Sequence, residues 1–164
     1  MSPNPGGGAG SNLVVVGVDG SPHSSEALRW AIHHAEARNT TVEAVFAWQL
    51  PMIAVPGAFD REELEQRAKQ FVVDIVSAVS PSPPVPVIPV VAEGDPAEAL
   101  VTAAGHADLL VLGTRGRSPL RGLMLGSVSQ TCAAAAPCPV VIVKLSNEGR
   151  AAAFEGPGDV GTLS

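Results

Sequence analysis

Aromatic side chains are scarce in this chain. They make up 4% of its 164 residues, and tyrosine is absent. Hydrophobic residues nevertheless account for 46% of the sequence, which argues against a disordered chain. The core must therefore be built from aliphatic side chains and alanine. Such a core is typical of a parallel β-sheet covered by helices that present small residues.

Basic residues are also few, and long apolar runs are lacking. Ten Lys and Arg stand against sixteen Asp and Glu, a net charge of −6, so we expect no general attraction to nucleic acid or to an anionic membrane. No apolar run approaches the roughly twenty residues that span a bilayer. Residues 1–11 lack the apolar core of a signal peptide. The sequence therefore predicts a cytoplasmic protein.

Only two cysteines, Cys132 and Cys138, are present. They form no Cys-x-x-Cys pair, and no histidine cluster accompanies them. We predict that both are small core residues rather than metal ligands or nucleophiles. The four histidines are scattered along the chain. His23 stands close to Asp19 in sequence, and we predict for it a position on a helix surface.

Strand and helix patterns alternate along the chain. Aliphatic or β-branched runs predict strands at 13–18, 41–48, 85–91, 109–112 and 139–143. Between them, helical apolar spacing predicts four helices that follow Ser21, Asp60, Asp95 and Ser127. Pro86 and Pro89 place the third strand at a sheet edge, because proline donates no hydrogen bond. Right-handed crossovers then predict an α/β fold: a doubly wound five-stranded parallel sheet of order 3-2-1-4-5, with helices on both faces.

A glycine-rich segment, Gly113 to Ser129, follows the fourth predicted strand directly. Glycines let backbone N–H groups surround an anion without interference from Cβ atoms. The segment ends where a helix begins, and a helix N-terminus attracts anions. It also contains three arginines, Arg115, Arg117 and Arg121. The pattern predicts a phosphate-binding site, with a solvated loop as the alternative.

Asp19 is predicted to lie beside this segment. In a sheet of order 3-2-1-4-5 the first and fourth strands are neighbours, so their carboxyl ends share one crevice. Asp19 follows the first strand, and a carboxylate accepts hydrogen bonds well from ribose hydroxyls. The alternative is an ordinary turn residue. A ribose-binding carboxylate beside a phosphate-binding loop predicts a nucleotide site.

Three motifs in the sequence resemble those of the universal stress protein family, in its nucleotide-binding branch. They are Val14-Val15-Val16-Gly17-Val18-Asp19-Gly20-Ser21, then Glu93-Gly94-Asp95-Pro96, and finally Gly113-x2-Gly116-x9-Gly126-Ser127 closed by Pro137-Cys138-Pro139-Val140-Val141. The spacing of the third motif is much more specific than a lone Gly-x-Gly-x-x-Gly. The resemblance implies one domain at 12–145, and we expect flexible tails at 1–11 and 146–164.

The resemblance also implies a ligand, ATP, with Mg²⁺ or Mn²⁺ held by its phosphates. Positions expected near the adenosine or the sugar are Gly17, Val18, Asp19, Ala47, Leu112 and Gly113. Positions expected near the phosphates are Arg115, Gly116, Gly126, Ser127, Val128 and Ser129, where the two serines would supply hydroxyls. Family members commonly form homodimers through the last strand, here 140–143.

Efficient catalysis is not expected, because Gly126 is followed directly by Ser127 without the lysine of a Gly-x-x-x-x-Gly-Lys-Ser/Thr motif. No base for water is evident either. We therefore predict an ATP-dependent stress-response or signalling protein with at most slow hydrolysis. The alternatives are a weak ATPase, a protein for another adenine nucleotide such as cyclic AMP, an adenylyl-transfer or flavin protein of related layout, and a nucleotide-free interaction module. The intact glycine pattern disfavours the last.

Overall fold

Strands and helices alternate strictly along the chain. The computed structural model describes residues 11–50, 57, 60–115 and 125–145. Apart from Ser11, both predicted tails lie outside these ranges. The elements within them are β1 (Leu13–Gly17), α1 (Pro22–Arg38), β2 (Thr41–Trp48), α2 (Arg61–Val79), β3 (Val87–Glu93), α3 (Pro96–Ala104), β4 (Leu109–Gly113), α4 (Ser127–Ala135) and β5 (Val140–Val143). None of these helices is long and apolar enough to cross a bilayer.

The five strands form one parallel sheet of order β3-β2-β1-β4-β5. This confirms the predicted order, including the pairing of β1 with β4. Val15 in β1 lies opposite Glu43 in β2 on one side and Leu110 in β4 on the other. All of β4 is buried, which explains its continuous aliphatic sequence. β5 forms one edge of the sheet, and a homodimer through it stays a prediction.

Helices cover both faces of the sheet, as predicted. Alternate residues of a strand point to opposite faces, and β1 shows the division. Val14 and Val16 pack in the core beneath α1 and α2, while Val15 packs in the second core beneath α3 and α4. Two separate aliphatic cores therefore hold the carboxyl ends of the strands in fixed positions.

Helix α1 illustrates how a core with few aromatic residues is packed. Its buried face is made largely of alanine and carries Ala27, Leu28, Ala31, Ile32 and Ala35. Small side chains let the helix approach the sheet closely. The helix begins as predicted, since the Ser21 hydroxyl caps it by accepting from the Ser24 N–H at 3.1 Å.

β3 lies at the other edge of the sheet, as its prolines predict, but it begins and ends two residues later than predicted. Pro86 precedes the strand and contributes only its carbonyl, which accepts from the Val42 N–H at 2.9 Å. Pro89 lies inside the strand opposite Ala44. It is tolerated there because an edge strand has a neighbour on one side only. Likewise α3 ends at Ala104, before the predicted His106.

The two cysteines belong to the core, as predicted. Cys132 is fully buried between α4 and α3, with its Sγ 3.9 Å from the Ala97 carbonyl. Burial raises the pKa of the Cys132 thiol to about 11, and the Asp95 carboxylate adds to the shift. Cys138 is half-buried, and burial raises its pKa as well. Both thiols are therefore neutral near pH 7.

We expect Cys132 to resist thiol-specific reagents while the protein is folded. The thiolate is the reactive form, and with a pKa of about 11 only about 0.1% of Cys132 is ionised at pH 8. A Cys138→Ala variant isolates this thiol, and the absorbance of released thionitrobenzoate reports its modification. The same variant unfolded in urea is the control and reacts within minutes. Equally fast reaction of the folded variant would contradict the burial.

Candidate functional site

A cleft of about 230 Å³ opens at the carboxyl edge of the sheet, where β1, β2 and β4 end near the N-terminus of α4. Its lining comes from these strand ends, from the N-terminal parts of α1 and α3, from Arg115, and from residues 125–129. In open parallel sheets, ligands bind at this edge, where the strand order reverses. The topology therefore forms the cleft from segments that are far apart in sequence.

Eleven of the twelve predicted site residues line this cleft: Gly17, Val18, Asp19, Ala47, Leu112, Gly113, Arg115, Gly126, Ser127, Val128 and Ser129. The twelfth, Gly116, lies outside the described residues, as do Arg117 and Arg121. The structure thus brings together the positions predicted for adenosine and those predicted for phosphate. Their contacts with a ligand remain predictions.

Asp19 is held at the edge of the cleft by its own turn. Its Oδ1 accepts from the Ser21 N–H at 2.9 Å, so the predicted turn role is real. Its backbone N–H donates to the Ser24 hydroxyl at 3.2 Å, and that hydroxyl donates to the Ser21 carbonyl at 3.0 Å. Ser24 is buried and lines the cleft. Sequence reasoning missed Ser24. Its position in the first turn of α1, three residues after the N-cap Ser21, was the one indication in the sequence that it lies near Asp19.

Gly113 ends β4 directly against the first turn of α1. A Cβ atom at this position would lie 2.7 Å from the His23 carbonyl oxygen and 2.8 Å from the His23 carbonyl carbon. The next residue, Thr114, places its Oγ1 2.8 Å from His23 Nδ1. The predicted surface position of His23 is therefore only partly right, because the ring is half-buried against the start of the glycine-rich segment.

The N-terminus of α4 faces the cleft without a capping side chain. Gly126 is the N-cap, and its carbonyl accepts from the Gln130 N–H at 3.0 Å. Ser127 is therefore the first helical residue, and the prediction that the helix follows Ser127 is wrong by one residue. Because Gly126 has no side chain that could cap the first turn, the N–H groups of that turn and the positive end of the helix dipole suit an anion.

Ser129 has a partner within the protein. Its hydroxyl is buried and donates to the Gly113 carbonyl at 2.8 Å. This bond ties the first turn of α4 to the end of β4. The structure therefore gives Ser129 a role in shaping the cleft, where the sequence predicted a hydroxyl for phosphate. Ser127, by contrast, is exposed.

The lining of the cleft contains both apolar and polar residues. The apolar part includes five residues that sequence reasoning missed: Val45, Phe46, Pro96, Leu100 and Leu125. Apolar residues of this kind also build cores, so nothing in the sequence marked them. Asp19 and Arg115 are the ionisable residues among the described lining. In the described ranges, no group of three or more His, Cys, Asp or Glu could hold a metal ion.

The universal stress protein family model matches residues 12–144. This chain belongs to the universal stress protein family. The match includes every element of the sheet and every predicted position in the cleft.

Known universal stress proteins show how far the similarity extends. This family member is 32% identical over 133 residues to the universal stress protein in the QAH/OAS sulfhydrylase 3′ region of Thermus aquaticus, covering 80% of this chain and 97% of that protein. It is 36% identical over 135 residues to universal stress protein Rv2005c of Mycobacterium tuberculosis, covering 81% of this chain but 45% of that protein. The chain therefore spans about half the length of its mycobacterial relative.

A solved universal stress protein in complex with cAMP has the same fold. It is 28% identical to this chain and superposes with a TM-score of 0.59, covering 82% of this chain and 97% of that one. The bound cAMP is a finding about that relative.

Proposed function

We propose that this universal stress protein binds ATP in the cleft and acts as a nucleotide-dependent stress-response or signalling protein. The observation that carries the proposal is that residues assigned separately to adenosine and to phosphate line one cleft. The related protein that holds cAMP, itself an adenine nucleotide, supports the same class of ligand. Neither the residues at the end of β1 nor the glycine-rich segment would indicate a nucleotide alone.

The chemistry of the lining suits the parts of ATP. Apolar side chains such as Val45 and Leu100 can pack against an adenine ring. Asp19, beside β1, can accept from ribose hydroxyls. Arg115 and the uncapped N-terminus of α4 can receive the phosphates. A divalent ion, Mg²⁺ or Mn²⁺, would take its ligands mainly from phosphate oxygens and water, as Mg²⁺ often does.

The lining supports binding better than rapid turnover. Hydrolysis of ATP needs a group that positions or deprotonates water. Among the described lining residues, only Asp19 is a candidate base, and we assign its carboxylate to the ribose. We therefore propose that ATP occupancy itself carries the signal and that any hydrolysis is slow.

The first experiment asks which nucleotide the protein holds. The full chain is purified without added nucleotide and denatured, and the released small molecules are identified by mass spectrometry. Calorimetric titrations with ATP, cAMP and GTP follow. We expect ATP to be released or to bind, and GTP to bind at least tenfold more weakly, because the apolar lining would leave the extra polar groups of guanine without hydrogen-bond partners. The ribose that Asp19 would bind is the same in both nucleotides. GTP thus serves as the matched control for the phosphates.

Two outcomes would change this conclusion. Failure to detect any adenine compound, together with no heat of ATP binding, would remove the proposed function. Tighter binding of cAMP than of ATP would favour the second candidate, a cyclic-nucleotide protein, which the complex of the related protein with cAMP supports.

A further inference from the structure

We infer that His23 is a positioning residue for the phosphate-binding part of the cleft, acting through Thr114. The inference rests on the proposed nucleotide binding and adds to it a residue outside the glycine-rich segment. His23 belongs to the first turn of α1, whereas Thr114 follows β4 and lies 91 residues away in sequence. Their side chains meet with His23 Nδ1 2.8 Å from Thr114 Oγ1.

Thr114, the residue after β4, is hydrogen-bonded through its backbone to both α4 and β5. Its carbonyl accepts from the N–H of Gly126, the N-cap of α4, at 2.8 Å. Its own N–H donates to the Val143 carbonyl of β5 at 3.2 Å. The Thr114 backbone therefore connects the edge strand β5 to the N-terminus of α4.

The contact with His23 reaches Thr114 from the other face of the sheet. The bonds of the Thr114 backbone lead to β5 and α4, whereas α1 belongs to the opposite helical layer. Gly113 allows α1 to approach this closely, because the His23 backbone occupies the space that a Cβ atom on residue 113 would take. Either the Thr114 hydroxyl donates to Nδ1 or Nδ1–H donates to the hydroxyl. In both cases the bond restricts the Thr114 side chain.

Two substitutions separate the hydrogen bond from the bulk of the ring. His23→Ala removes the bond, and a net contribution typical of one hydrogen bond predicts about fivefold weaker ATP binding. Adenosine, which lacks phosphates, should bind with unchanged affinity. His23→Asn offers an amide donor and acceptor at the branch point where Nδ1 stands, and we expect it to restore ATP binding to within about twofold.

A double-substitution cycle tests whether His23 acts through Thr114. Thr114→Val keeps the size of the side chain but removes its hydroxyl. If the bond is the route, Thr114→Val weakens ATP binding as His23→Ala does, and the double variant binds no more weakly than either single variant. Fully additive losses would contradict the inference.

Hydrogen exchange of the Gly126 amide, measured by NMR on the full chain without nucleotide, tests positioning independently of binding. We expect it to exchange about fivefold faster in His23→Ala, while the Leu110 amide in β4 keeps its rate. An unchanged Gly126 rate, or equal losses of ATP and adenosine affinity, overturns the positioning role. If the wild-type chain binds no nucleotide but Gly126 exchange still accelerates, the proposed function fails and the structural role of His23 stands.

Discussion

Replacing Gly113 with alanine is expected to lower the free energy of unfolding by about 3 kcal/mol, because the added methyl group has no room. Its Cβ would lie within 2.9 Å of three His23 atoms, and two of these belong to the backbone of α1. A helix backbone cannot rotate aside as a side chain can. Urea denaturation measures the change, with a lower midpoint at an unchanged slope.

Gly17→Ala is the matched control, because Gly17 also ends a central strand and also lines the cleft. A Cβ there would lie 2.8 Å from Leu112 Cδ2 and 3.1 Å from Leu100 Cδ1, which are the ends of flexible side chains. These can change rotamer, so we expect a loss of about 1 kcal/mol. If Gly113→Ala were no more costly than Gly17→Ala, the first turn of α1 would have to be movable.

The sheet could be predicted because its strands carry local signals. β2 is predicted at residues 41–48, as found, since five of its eight residues are β-branched or aromatic. β3 is predicted two residues too early. Pro86 and Pro89 both weaken the strand pattern, and the sequence does not indicate which proline lies inside the strand. That choice depends on register with β2, a contact between strands that no local pattern records.

The candidate site was predicted only where its residue types are unusual. Glycine next to a strand end and an aspartate after β1 suggest special backbone or polar roles, and both positions line the cleft. Leu100 and Phe46 line it as well, but a leucine or phenylalanine more often indicates a core. The contact of His23 with Thr114 joins residues 91 apart, and only the folded packing of α1 against β4 reveals it.

Replacing Ser127 with aspartate is expected to weaken ATP binding about 100-fold without destabilising the fold. A carboxylate in the first turn of α4 lies near the positive end of the helix dipole, which adds about 0.5 kcal/mol to stability. The same carboxylate would face the phosphates in the proposed complex. If the carboxylate and a phosphate charge are about 5 Å apart, their repulsion at an intermediate effective dielectric constant is about 3 kcal/mol. This is equivalent to about 100-fold in affinity.

Thr131→Asp adds the same charge to the same helix at an exposed position that is not part of the cleft lining, and its ATP affinity should stay within about threefold of wild type. Calorimetry with ATP and adenosine, together with thermal unfolding, compares the two variants. Adenosine should bind Ser127→Asp almost normally, since it carries no phosphate. An ATP affinity that survives in Ser127→Asp would place the phosphates away from the N-terminus of α4, whereas equal weakening in both variants would point to net charge alone.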